Sequence, residues 1–249
     1  MASYRVHGIV IRHQPYREAD RLVTLCTVER GVCTVQARGA RKVSSKLAGS
    51  LEPLVDGFFS LARGRTYDTV IAADVVSSFP GLRSSWDRMN RSGYAAYLVG
   101  AATRHGEHDR RTYDLLQGYL GWLDTASAAA AVTISPLLTF VWQYLAVLGF
   151  QPELQRCVRC QLPLQQVGNR FSVRRGGILC HRCPDHDALP VSASGIKVLR
   201  LLQTYGWSAA VRIRLTSPVQ RELLATTGSY LNYSLERQLW PPRTFRTAV

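Results

Sequence analysis

Two cysteine pairs constrain this chain more than any other feature. Cys157-x2-Cys160 is followed, after nineteen residues, by Cys180-x2-Cys183, the spacing of a ribbon that clasps one Zn2+ with four thiolates. Each knuckle turns two sulfurs toward a common point, and a tetrahedral ion takes four such ligands at about 2.3 Å. A full shell leaves no position for substrate, so the expected single zinc is structural and not catalytic. Two redox pairs and two structural disulfides are the competing readings, and a reducing compartment disfavours the disulfides. His181 and His186 are nearby spare ligands that read as surface side chains. Cys26 and Cys33 fall in apolar runs and read as small core residues.

The ribbon interrupts a chain with two distinct periodicities. Tyr4 to His13, Ala19 to Val28, Gly31 to Arg38, Leu54 to Ala62 and Tyr67 to Val76 are five β-branched runs, with breaks at Gln14-Pro15, Glu29-Arg30-Gly31 and Arg63-Gly64-Arg65. Five short strands with a longer connection between the third and fourth fit a small closed barrel, such as an OB-fold, better than an open sheet with exposed edges. An SH3-like barrel is the alternative. From Pro80 the period becomes helical. Tyr94, Tyr97, Leu98 and Ala101 share one face, and Tyr113, Leu116, Leu120 and Leu123 another.

Thr125 to Pro152 contains no charged residue, which raises the question of a membrane span. Pro136, Gln143 and interspersed small residues dilute it. The favoured reading is a small-residue loop, a helix starting at Ser135-Pro136, and an end at Gly149 before Pro152. Helical patterning resumes at Ser194 to Thr204 and Pro218 to Leu239, the last with Leu223, Leu224, Tyr230, Leu231 and Leu235. The expected organisation is α+β and multidomain. A barrel fills 1–79, a helical domain 80–152 and 189–249, and the ribbon is inserted at 153–188. The first twelve residues lack the pattern of a secretory signal, so a cytoplasmic, nucleoid-associated protein is expected.

Charge points to the partner. Lys and Arg number 31 against 17 Asp and Glu, a net +14, which favours an anionic partner such as nucleic acid. Only Lys42, Lys46 and Lys197 are lysines, so Arg supplies the other 28, and its planar fork suits bidentate phosphate contact. A GC-rich genome would inflate Arg over Lys but does not explain the shortage of acids. Arg38-Gly39-Ala40-Arg41-Lys42-Val43-Ser44-Ser45-Lys46 lies in a window from Arg30 to Leu51 without any acidic residue. As a Gly-hinged loop after the third strand, it would present Arg38, Arg41, Lys42 and Lys46 to a phosphate backbone, with barrel aromatics available for base stacking. A solvated surface is the plainer alternative. Within the ribbon, Arg159, Arg170, Arg174, Arg175 and Arg182 face no acid between Cys157 and Cys183. That leaves about +3 after four thiolates and Zn2+. Arg170, Arg174 and Arg175 are therefore candidate DNA contacts, or they merely soften the thiolate charge.

Signatures of catalysis are sparse. The chain has no phosphate-binding G-x4-G-K-[ST], no G-x-G-x-x-G and no H-E-x-x-H. His105-Gly106-Glu107 matches half of the zinc deaminase pattern, but Arg156 and Leu179 stand where a Pro must precede the cysteines. No enzyme activity is expected.

Several of these motifs, in order, resemble the RecO family of bacterial recombination mediators. They are Gly8-Ile9-Val10-Ile11 and Arg17-Glu18-Ala19-Asp20-Arg21, then Ala37 to Lys42 with Ser45-Lys46 and Leu51-Glu52-Pro53. Leu148-Gly149-Phe150-x-Pro152, the cysteine pairs and Phe171-Ser172-x4-Gly177-x2-Cys180 follow. The resemblance implies an N-terminal OB-fold, a helical domain and an inserted zinc ribbon. It also implies a non-enzymatic factor for DNA repair and recombination. Such a factor binds single- and double-stranded DNA, anneals strands coated by the single-strand-binding protein and, with RecR, helps load RecA. Carried over by position, Arg38, Arg41, Lys42 and Lys46 would bind the DNA backbone, and Cys157, Cys160, Cys180 and Cys183 the metal. Trp240-Pro241-Pro242 departs from the Lys-Ser pair expected there, which puts a role of the tail in partner binding in doubt. The competing readings are a protein-recruiting adaptor with incidental DNA affinity and an RNA-binding barrel-and-ribbon protein.

Overall fold

The structure is a computed structural model that describes residues 2–103, 109–183 and 185–240. Five strands, β1 (Ser3–Tyr16), β2 (Asp20–Thr27), β3 (Gly31–Ala37), β4 (Asp56–Ala62) and β5 (Thr69–Ser77), close a barrel in the order β1-β2-β3-β5-β4. All pairings are antiparallel except the closing one between β3 and β5, where Gln36 meets Thr69. That order, with a parallel closure, is the OB-type barrel and excludes the SH3-like alternative. Alternation fills the interior with Val6, Val10, Val23, Leu25, Val35, Phe59, Leu61 and Val70.

The first predicted break moves. Gln14 and Pro15 remain in β1, paired with Leu22 and Arg21, and the chain turns at Arg17 to Ala19, with Arg17 in left-handed backbone at φ 53°. A one-residue bulge at Ile11 re-phases the strand between Val10 and Arg12, which lets the hairpin run on to Tyr16.

Seven helices follow in the described residues: α1 (Trp86–Ala102), α2 (Arg110–Thr125), α3 (Ala128–Ala131), α4 (Ser135–Val147), α5 (Ala193–Thr204), α6 (Trp207–Ala210) and α7 (Ser217–Ser234). Between α4 and α5 stand β6 (Arg170–Ser172), β7 (Gly177–Leu179) and β8 (Leu189–Pro190), in the order β7-β6-β8. The chain separates into two compact units, 1–132 and 133–249. The helical run expected from Pro80 to Pro152 is thus divided, because α1 and α2 pack on β1 and β2 of the barrel while α4 packs on α5, α6 and α7. On α1, Tyr94, Leu98 and Val99 are buried, but Tyr97 points outward at 54% exposure. The helix buries Ala95 and Ala96 in the place expected for Tyr97.

The uncharged segment holds the core helix of the second unit. In α4, Leu137, Leu138, Phe140, Val141, Trp142, Tyr144 and Leu145 are all buried, and Trp142 Nε1 donates to Thr227 Oγ1 of α7 at 3.0 Å. Gly149 ends the helix at φ +88°, with Gly149 N–H donating to Ala146 O and Phe150 N–H to Leu145 O. These are the two bonds of a glycine C-terminal cap. No described helix is long and apolar enough to cross a membrane. The last helix stops at Ser234, short of the expected Leu239. Glu236 turns into left-handed backbone, and Asn232 Oδ1 accepts from Leu239 N–H and Trp240 N–H.

Candidate metal centre and cationic barrel loop

The four cysteines converge. Their sulfurs lie within 4.8 Å of one another, and Cys160 Sγ and Cys180 Sγ are 3.7 Å apart. Four sulfurs at about 2.3 Å from a tetrahedral ion lie about 3.8 Å from each other, whereas a disulfide would bring a pair to about 2.0 Å. The donor set therefore fits a closed four-sulfur metal site. Each knuckle is closed by a backbone turn: Gln161 N–H returns to Cys157 O at 2.9 Å with Gln161 at φ 61°, and Cys183 N–H to Cys180 O at 3.0 Å. Burial opposes ionisation of Cys157. The N–H groups of Cys160, Cys180 and Arg159 directed at its sulfur nevertheless hold its thiol down at about 6. Burial and the neighbouring sulfurs push Cys183 up to about 12. Three ligands are buried, with Leu179 and Ala188 in the same small cluster, and Cys160 is at the surface. His181 and His186 are exposed and outside the cluster.

The two remaining cysteines sit in the barrel as expected. Burial pushes the Cys26 thiol up to about 12 and that of Cys33 to about 11, which keeps both protonated near neutrality.

The basic loop after β3 is anchored from below and cationic above. Ala40 and Leu51 are buried in the barrel core with Leu47 packed against them, while Arg38, Arg41, Lys42 and Lys46 are exposed. Asp20 is the staple. Its Oδ1 accepts from Gly39 N–H at 2.8 Å and its Oδ2 from Gln36 Nε2 at 2.7 Å. The Gly39 N–H is the main reason its carboxyl is held below the usual range. Gly39 adopts φ +63°, the region glycine tolerates best. Arg41 N–H donates to Ala19 O and Arg41 Nη1 to Glu18 O, tying the loop to the β1–β2 turn. None of Arg38, Arg41, Lys42 and Lys46 has a carboxylate within 4 Å among the described residues. Val43 at the tip is fully exposed.

Two aromatic rings escaped the sequence reading. Tyr16, at the end of β1, and Tyr67, before β5, meet edge to face at 6.0 Å, and the Arg17 guanidinium lies 5.2 Å from the Tyr16 ring. The β1–β2 turn and the β4–β5 loop with exposed Arg63 and Arg65 thus share one end of the barrel with the cationic loop. The signal was present in Tyr16-Arg17 and Arg65-Thr66-Tyr67, but only barrel closure pairs the rings.

The ribbon arginines divide by environment. Arg170 Nε and Nη2 both donate to Ala188 O, so its fork is engaged in holding β6 to the following loop. Arg174 is exposed and 3.9 Å from the equally exposed Asp187; Arg175, Arg159 and Arg182 are exposed. The His105-Gly106-Glu107 triplet and the tail from Pro241 lie outside the described residues.

An OB-type barrel with a cationic loop, followed by a helical unit that carries a closed four-sulfur ribbon, defines a barrel-and-ribbon class of architecture. Comparison with known proteins narrows it. Residues 1–79 match the family model described as recombination protein O N terminal, and residues 83–242 that described as recombination protein O C terminal. The DNA repair protein RecO of Roseiflexus sp. (strain RS-1) is 35% identical over 94% of this chain and 82% of its own length. That of Anaeromyxobacter dehalogenans (strain 2CP-C) is 35% identical over 96% and 94%, and that of Desulforamulus reducens 29% over 96% and 92%. The chain belongs to the RecO family.

Proposed function

We propose that this protein is a DNA repair and recombination mediator. It binds single- and double-stranded DNA, anneals complementary strands coated by the single-strand-binding protein and, with RecR, helps load RecA. The observation that carries the reading is the barrel loop: four exposed cations with no carboxylate within 4 Å among the described residues, held by a buried anchor instead of left as a floppy surface run. Arg38, Arg41, Lys42 and Lys46 neutralise phosphates, and Tyr16 and Tyr67 offer π-faces that accept any base. Reduced repulsion between two bound strands together with sequence-tolerant contacts lets base pairing choose the register, which is what annealing requires. No side chain is asked to make or break a covalent bond.

The metal in this reading is one structural Zn2+ on Cys157, Cys160, Cys180 and Cys183. When bound it supplies charge neutralisation and cross-linking of the two knuckles. The chain supplies the rest. The cysteine-lined cluster with Leu179 and Ala188 is too small to hold the ribbon by apolar burial alone. The protein would act in the cytoplasm, associated with the nucleoid.

The test is RecA filament assembly on gapped DNA precoated with single-strand-binding protein, with RecR and with or without this protein. Faster assembly only when this protein is present supports the mediator. Unchanged assembly, by a preparation with full zinc content, contradicts it.

A further inference from the structure

Gly149-Phe150, from the motif Leu148-Gly149-Phe150, has no part in the barrel chemistry, yet it lines an open cleft in the second unit. Arg174 and Arg175 from the β6–β7 turn, Tyr233 from the last turn of α7 and Glu236 just beyond it line the same cleft. The cleft encloses about 690 Å³, within the size range of small-ligand sites. Its chemistry is polarised. Phe150 and Tyr233 leave 38% and 51% of their surface open, unusual for rings beside a well-packed core. Arg175 and Glu236 have no ion-pair partner within 4 Å among the described residues, and Arg174 has only the exposed Asp187 at 3.9 Å. The floor is fixed, since Tyr230 Oη donates to Phe150 O at 3.2 Å and Gly149 is held in the α4 cap.

We propose that this cleft is a second single-strand nucleic-acid site, independent of the barrel loop. The arginines take phosphate, the two rings take base faces, and the Glu236 carboxylate accepts from exocyclic or imino N–H groups of a base. A nucleotide carries an anion, a flat π-face and N–H donors, and the same cleft is lined by two arginines, two rings and a carboxylate. An acidic peptide matches only the arginines, offers no flat base face to the rings and is repelled by Glu236. A second strand site on the same chain also gives annealing its second substrate. This inference extends the mediator reading but is tested separately from it.

The probe is a fluorescent single-stranded 12-mer, titrated against the full chain carrying Arg38→Ala, Arg41→Ala, Lys42→Ala and Lys46→Ala, so that the loop's phosphate contacts are removed before the cleft is tested. Adding Arg174→Ala and Arg175→Ala should weaken residual binding about 25-fold at 0.1 M salt, from two phosphate contacts at a slope of about 0.7 each. Adding Tyr233→Ala instead should cost about fivefold or more through lost stacking. All three residues are exposed, so zinc content and circular dichroism should stay at parental values. A 5-iododeoxyuridine version of the 12-mer should cross-link to Phe150 or Tyr233. Absent residual binding, residual binding indifferent to these substitutions, or an Asp/Glu-rich nonapeptide that binds the cleft in place of the oligonucleotide would each overturn the proposal. Failure of the four loop substitutions to weaken wild-type binding would instead refute the barrel site and leave the cleft standing.

Discussion

Replacing Arg38, Arg41, Lys42 and Lys46 together by Ala should remove most of the salt-sensitive affinity for single-stranded DNA. All four side chains are exposed and, among the described residues, free of carboxylates within 4 Å, so no internal ion pair there has to be broken before a phosphate is met. Each neutralised phosphate contributes about 0.7 to the slope of log K against log salt on a single strand, so four give about 3. Between 50 and 200 mM salt these four contacts correspond to about a fifty-fold loss, and at 0.1 M the variant should bind about 600-fold more weakly. The fold should survive, because the anchors Ala40, Leu47 and Leu51 and the Asp20–Gly39 bond remain. The assay is fluorescence anisotropy of a labelled oligo-dT over a salt series, with the urea midpoint as a folding control. An affinity within about threefold of native with an unchanged slope would refute the argument that this loop carries the phosphates.

Four further outcomes follow from the same geometry. Cys180→Ser should drop zinc from about one equivalent per chain to below half and lower the melting temperature of the second unit; full retention of metal would contradict a four-sulfur site. Thiol titration of the zinc-loaded protein at pH 7 should find Cys26 and Cys33 unreactive, since burial holds their thiols up at about 12 and about 11; rapid modification of either would contradict their placement. Asp20 has its folded pKa depressed, chiefly by the Gly39 N–H, so its contribution is present above the unfolded value of about 3.9 and lost as pH falls through the lower folded value. The native urea midpoint should therefore decline more steeply than that of Asp20→Asn as the pH is lowered below 4, and parallel declines would remove Asp20 as the staple. Thr227→Val leaves the buried Trp142 N–H without its 3.0 Å acceptor and should cost about 1–3 kcal/mol in urea unfolding; a neutral result would mean that bond contributes little.

What the sequence disclosed and what it hid differ by range. Strand alternation and the four-cysteine spacing are local codes, and β1 to β5 and the sulfur cluster lie where those codes place them. Gly149 and Ser135-Pro136 marked the ends of α4 because backbone caps depend on a few adjacent residues. The break at Gln14-Pro15 misled because an edge position tolerates proline and the bulge at Ile11 re-phases β1, which depends on the partner strand. Tyr97 fitted a helical face on spacing alone, while the barrel surface against α1 is narrower and admits Tyr94, Leu98 and Val99. Tyr16 with Tyr67, and Phe150 with Arg174, Arg175 and Tyr233, are separated by tens of residues and become neighbours only through tertiary closure. Arg170 looked like its exposed neighbours in the sequence, and only its two bonds to Ala188 O set it apart.

The central claim, that this chain brings complementary strands together by screening their phosphates, is tested most directly by fluorescence annealing. Two complementary oligonucleotides are precoated with their cognate single-strand-binding protein and mixed with the native chain across a salt series. The account predicts acceleration that fades as salt rises and is largely lost when Arg38, Arg41, Lys42 and Lys46 are Ala. Absence of acceleration at every salt concentration, by folded and zinc-loaded protein, would contradict it.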